Sequence, residues 1–122
     1  MIDINKIVTD AGYIVNLNKN TIGFEIKHAY LGTILPGNSR GGHFHKKHIE
    51  LFVCIKGEIN VLTETTHILC SEMIKESEMI LVEANKLHTL RNMTHETVHF
   101  IGFTNKIHDP NNKDTYERGE LK

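Results

Sequence analysis

Three histidines and one glutamate in this sequence are spaced to converge on a single point: His43, His45, Glu50 and His88. His43 and His45 are separated only by Phe44, so on an extended chain both imidazoles leave the same face. If Lys46 to Ile49 turn the chain, Glu50 adds an oxygen to the two nitrogens at the start of the next strand. His88, remote in sequence, then completes the set from a facing strand. Three imidazoles and a carboxylate suit a divalent transition metal, zinc foremost, with Fe, Mn, Ni and Co also compatible, and they leave positions open for water or a substrate oxygen. The alternative is an unused cluster of surface side chains, against which the constrained spacing argues.

The other chemistry-bearing residues carry weaker patterns. Nine histidines are many for 122 residues, but His48, His67, His95, His99 and His108 lack a ligand spacing and read as solvated or structural. His28 and Tyr30 share parity on a strand. Tyr30 reads equally as a proton-carrying acid or as a core aromatic with a satisfied hydroxyl. Met73, Met79 and Met93 read as core fillers.

The elements that must position these residues are strands. Residues 22–35 are rich in β-favouring side chains with partial alternation and read as one or two strands, followed by a glycine-rich loop over 36–42. Runs at 50–55 and 58–63 flank Lys56-Gly57, where glycine can take the positive φ of a tight hairpin. Further short strands are expected at 79–82, 87–91 and 97–103, with a helical turn over 70–79 as a subordinate reading. The polar tail from His108 to Lys122 is expected to lie over the surface. The class is all-β, as a barrel or sandwich, in one domain spanning residues 1–122.

Composition narrows the partners. Fourteen Lys and Arg against fifteen Asp and Glu, with the signs scattered, argue against nucleic acid. Hydrophobic residues make up 39% and none of their runs reaches membrane-spanning length, so no membrane partner is expected. The start, Met1 to Lys6, lacks a secretory pattern, which gives a cytoplasmic expectation and reduced thiols at Cys54 and Cys70. A small open barrel leaves a sheet edge exposed, so a homodimer is expected in which an N-terminal strand packs on the partner's sheet.

The segment from Gly37 to Gly57 resembles the first cupin motif, Gly-x5-His-x-His-x4-Glu-x6-Gly, at every fixed position. In the second motif His88 and Asn92 fit, while Ser77, Glu83 and Asn85 stand where Gly, Pro and Gly are usual. Phe24 to Tyr30 and Arg40 to Lys47 resemble dTDP-sugar 3,4-ketoisomerases, which commonly carry Gln in place of Glu50. The ending, Phe103 to Tyr116, is similar to the cupin domain of capsular polysaccharide assembly proteins, metal-containing epimerases on keto-sugar nucleotides. These resemblances imply a jelly-roll barrel, a dimer and a nucleotide-sugar substrate. Arg40, Lys46 and Lys47 become candidate contacts for its diphosphate. The implied chemistry is epimerisation or ketoisomerisation by proton abstraction beside the ketone of a 4-keto-6-deoxy sugar nucleotide. Tyr30 is one proton carrier, and His43 or His45 another if the site is metal-free. A non-catalytic sugar-binding cupin and a metal-dependent dioxygenase remain alternatives from other classes.

Overall fold

The structure, a computed structural model, describes residues 6–121. Residues 1–5, where the missing leader pattern was read, lie outside them. A hairpin of β1 (Lys6–Thr9) and β2 (Gly12–Val15) precedes a short helix α1 (Lys19–Ile22). The remaining strands are β3 (His28–Ile34), β4 (Ser39–Phe44), β5 (Glu50–Lys56), β6 (Glu58–Glu64), β7 (Leu69–Lys75), β8 (Met79–Val82), β9 (Leu87–Arg91), β10 (Val98–Thr104) and β11 (Tyr116–Glu117). They form two antiparallel sheets, ordered β3-β10-β5-β8 and β11-β4-β9-β6-β7. This is the expected all-β class, in a cupin-like fold.

The period-two alternation of β5 and β10 organises the interior. Phe52 and Cys54 of β5, with Val98 and Phe100 of β10, meet Ile59, Val61, Ile74 and Leu90 of the facing sheet in the main core. The opposite face of β5 is buried as well. Leu51, Val53 and Met79 pack there against Ile22 and Phe24 from the N-terminal segment, so β5 is apolar on both faces. Cys54 is buried and Cys70 exposed, both as free thiols.

Four expected elements differ from those observed. Strands β5 and β6 flank Gly57 at its expected positive φ, but they pass into different sheets instead of pairing as an antiparallel hairpin. The other three depart as follows. Residues 22–35 do not form strand throughout. Asn18 caps α1 by accepting the N–H groups of Asn20 and Thr21, and Gly23 ends it in a left-handed conformation. Ile22 and Phe24 therefore serve the second cluster, and strand begins only at His28. The glycine-rich loop is shorter than expected, because Ser39 onward pairs with β9 as β4. Residues 69–75 are strand β7 rather than helix: Ile74 enters the main core and Met79, across the turn, enters the second cluster. Of the three methionines read as core fillers only Met79 is buried, and Met73 and Met93 are exposed.

Two backbone devices aim the ends of β4 and β9. A bulge between Gly41 and His43 shifts the β4 register so that His43 stands opposite His88. Gly41 has φ +94° there, and a Cβ would meet the His88 carbonyl oxygen at 2.6 Å. Ser77 and Asn85, at two positions of the second motif where glycine is usual, both adopt positive φ, 68° and 66°. The side chains differ from the motif, but the backbone conformation is kept.

Gly41→Ala is expected to cost about 2 kcal/mol or more in urea unfolding, because strain and a backbone clash add at one residue. Gly37→Ala, at φ +75° with open space around the new methyl, should cost only about 1 kcal/mol.

Candidate metal centre

Each sheet brings half of the polar cluster. On β3, β5 and β10 the inward positions at one end of the barrel are Tyr30, Glu50 and Thr104, with Thr104 in register with Glu50. On β4 and β9 the inward positions are His43 and His88, and His45 follows immediately after β4. Tyr30 lies across Gly102, its register partner on β10, where an added Cβ would fall 2.3 Å from the ring. Gly102 is thus the space that admits the phenol.

The ligand atoms of His43, His45, Glu50 and His88 all lie within 4.8 Å of one another, close enough to share one metal ion. His45, Glu50 and His88 are buried, while His43 is half-buried toward the opening. His45 Nδ1 meets the Asp114 carbonyl oxygen at 2.5 Å, a contact that requires the proton on Nδ1. His45 Nε2 is buried without a hydrogen-bond partner, 2.6 Å from Glu50 Oε1. A nitrogen lone pair facing a carboxylate oxygen at that distance needs a cation between them, either a proton or a metal ion. The donor set therefore fits a metal. Tyr30 donates its hydroxyl proton to the other oxygen, Glu50 Oε2, at 2.8 Å.

The electrostatics follow from this packing. Burial pushes the Glu50 carboxyl up, but the imidazoles of His45, His48 and His88 gathered around it outweigh burial and hold Glu50 well below the usual carboxylate range. Burial pushes His88 down to about 4 despite the pull of Glu50. Burial also lowers His43, reinforced by His45. For His45 burial acts downward, yet the contacts with Glu50 and the Asp114 backbone raise it overall. Burial and the Glu50 charge raise the Tyr30 phenol far above its ordinary value, so it stays protonated.

The cluster opens into a cavity of about 300 Å³. Lys47 lines it. Arg40 does not: its guanidinium donates to the Thr33 carbonyl and lines a separate groove beside Leu31 and Ile55. The physical reason is its place along β4: Arg40 stands opposite Leu90 of the apolar core, away from the end of the strand where His43 stands opposite His88. Lys46 places its ammonium over the Tyr116 ring, 4.3 Å from the centroid.

Sequence reasoning missed three parts of this site. His48 stacks on His45 with centroids 3.8 Å apart and lines the cavity. Its signal, a third histidine beside the His-x-His pair, was present but has no ligand periodicity. The tail does not simply lie over the surface. Residues from Lys106 to Tyr116 form one wall of the cavity, and Tyr116 pairs with β4 and stacks on Phe44. His108 lies in that wall. Asp114, also in the tail, carried no sequence signal.

Residues 10–116 match the family model described as the polysaccharide biosynthesis C-terminal domain. The chain belongs to that family. Within this cupin-like family, similarity extends to a UDP-2-acetamido-2,6-beta-L-arabino-hexul-4-ose reductase of Pseudomonas aeruginosa, 30% identical over 89 residues, 69% of this chain and 24% of the relative. The chain thus spans about a quarter of that protein's length. The fold is shared with the 3,4-ketoisomerase QdtA of Thermoanaerobacterium thermosaccharolyticum, solved with TDP, at TM-score 0.85 and 18% identity over 96% of this chain and 85% of that one. The capsular polysaccharide assembling protein CapF of Staphylococcus aureus matches at TM-score 0.71 and 19% identity, over 96% of this chain and 33% of CapF.

The depressed His88 gives a pH dependence of defined sign. Its folded value lies below its ordinary 6.5, so the stability it contributes is present above 6.5 and is lost as pH falls toward 4. The raised His45 has the opposite sign. The urea midpoint of metal-free protein, followed from about pH 7 to about pH 4.5, should therefore fall more steeply in the parent than in His88→Gln. Parallel profiles would refute the assignment to His88.

Proposed function

We propose that this chain is a metal-assisted isomerase of a keto-sugar nucleotide, an epimerase or 3,4-ketoisomerase acting beside the ketone of a 4-keto-6-deoxy sugar. The observation that carries the reading is the buried His43, His45, Glu50 and His88 cluster, opening beside Tyr30 into a cavity with Lys47 in its wall. Family membership in polysaccharide biosynthesis supports the substrate class. So do the names of similar proteins, one a reductase of a UDP-linked hexul-4-ose, another a ketoisomerase solved with TDP-4-keto-6-deoxyglucose.

In this reading His43, His45, Glu50 and His88 hold one divalent transition metal, zinc foremost. When bound, the ion supplies positive charge that favours enolate over ketone. The C3 proton leaves to a base on the protein, and the C3–H electron pair becomes the C3–C4 double bond while the C4 oxygen takes negative charge. Return of a proton to the opposite face of C3 gives the epimer. Return to C4, with loss of the C3 hydroxyl proton, moves the ketone to C3. Neither outcome changes the oxidation level of the sugar, so no nicotinamide or oxygen is consumed. Tyr30, held protonated by burial and by Glu50, delivers a proton. His43 and His45 are occupied as ligands, which leaves His28, His48 and His108 as the imidazoles in the cavity wall to receive one. Lys47, with Lys106 and Lys113 of the tail wall, faces the diphosphate.

A homodimer belongs to the same reading. The β1–β2 hairpin exposes Ile7, Val8, Tyr13 and Ile14, and the outer sheet face exposes Leu31 and Ile55, two apolar surfaces that a second copy would cover. Light scattering should give twice the chain mass, with Val8→Asp shifting it to the monomer.

Incubation with 4-keto-6-deoxy nucleotide sugars in deuterated water under anaerobic conditions should place deuterium at C3 or C4. Glu50→Gln removes the anionic ligand and should lower both metal content and exchange strongly. Tyr30→Phe should keep the metal and lose turnover by about 10²-fold or more. Absence of exchange across a broad substrate panel would favour a sugar-binding module, and oxygen consumption with bound iron would favour a dioxygenase.

A further inference from the structure

Outside the four ligand candidates, the most densely bonded group at the site is a tail residue. Asp114 accepts the backbone N–H of Lys46 through Oδ1 at 2.9 Å and that of Lys47 through Oδ2 at 2.8 Å. The same Oδ2 meets His48 Nδ1 at 3.1 Å. Its own backbone carbonyl takes the Nδ1 proton of His45. One residue thus binds the turn that carries the chain from His45 to Glu50 and both imidazoles that stack there.

These contacts have a consequence for His45. A neutral imidazole carries its proton on one nitrogen and presents a lone pair at the other, and the hydrogen bond made by the first decides which. The Asp114 carbonyl holds that proton on Nδ1, leaving the Nε2 lone pair aimed at Glu50 and the ligand cluster. The carboxylate holds the carbonyl in place, since its three bonds to residues 46–48 are the nearest ties between tail and turn. Further ties, the β11–β4 pairing and the Tyr116 ring on Phe44, begin two residues on.

We propose that Asp114 is a positioning residue for the metal centre: it presets the His45 tautomer and clamps the 45–48 turn, so that the cavity wall and the ligand set form one unit. The part that concerns metal affinity rests on the reading of His43, His45, Glu50 and His88 as ligands. The tautomer does not.

Two measurements on the full chain test this. Histidine-selective ¹⁵N labelling of the metal-free protein, titrated upward until the His45 ring has lost its second proton, should show the remaining proton on Nδ1 in the parent. In Asp114→Ala the Nε2–H form should become substantial. Zinc affinity by chelator competition should fall about 10- to 100-fold in Asp114→Ala, with Asp114→Asn between the two, since the amide keeps one acceptor. If parent and Asp114→Ala share one tautomer and one zinc affinity, the proposal is overturned, even where thermal stability differs. A parent that binds no zinc would sink the metal reading, and the tautomer comparison would still decide the role of Asp114.

Discussion

A carboxylate buried between two β-sheets has to be compensated. Glu50 stands at the inner end of β5, nearly without solvent, and each of its oxygens is matched: Oε2 by the Tyr30 hydroxyl, Oε1 by the imidazoles of His45, His48 and His88 at 2.6 to 3.8 Å. An isolated buried carboxylate would cost several kcal/mol and would neutralise itself by taking a proton. Here the surroundings hold it charged. That choice constrains the remainder of this end of the barrel, because the compensating groups come from β3, β9 and the turn between β4 and β5, and none can move far without stranding the charge.

The barrel is accordingly divided along its axis. At one end the inward positions of both sheets are apolar and close-packed. At the other, the same alternation delivers Tyr30, His43, Glu50, His88 and Thr104. Side chains on one strand switch from core to cluster within two residues, as with Phe52 and Glu50, so rigidity at the apolar end is transmitted directly to the polar end. Small residues supply room where the polar side chains need it: Gly102 beneath the Tyr30 ring, Gly41 against the His88 carbonyl.

Low identity and a shared fold belong together here. Proteins with 18% or 19% identity superimpose over nearly the whole of this chain, because alternation and turn geometry tolerate exchange among apolar residues. Ser77 and Asn85 illustrate this, adopting the left-handed backbone expected of glycine.

What the sequence alone determined is local or periodic. His-x-His places two imidazoles on one face, Gly57 takes the positive φ expected of it, the first cupin motif names Glu50, and the second names His88. The shared parity of His28 and Tyr30 was legible for the same reason. Where tertiary structure decided, the deciding contact was between elements. The Thr33 carbonyl holds Arg40 in another groove, burial of the β5 outer face drew Ile22 and Phe24 out of strand, and pairing with β6 made 69–75 a strand. Asp114 lies 69 residues from His45 in a polar stretch with no periodicity. Its role depends on where the tail is carried by Tyr116 against Phe44, a packing event between segments that no local pattern encodes.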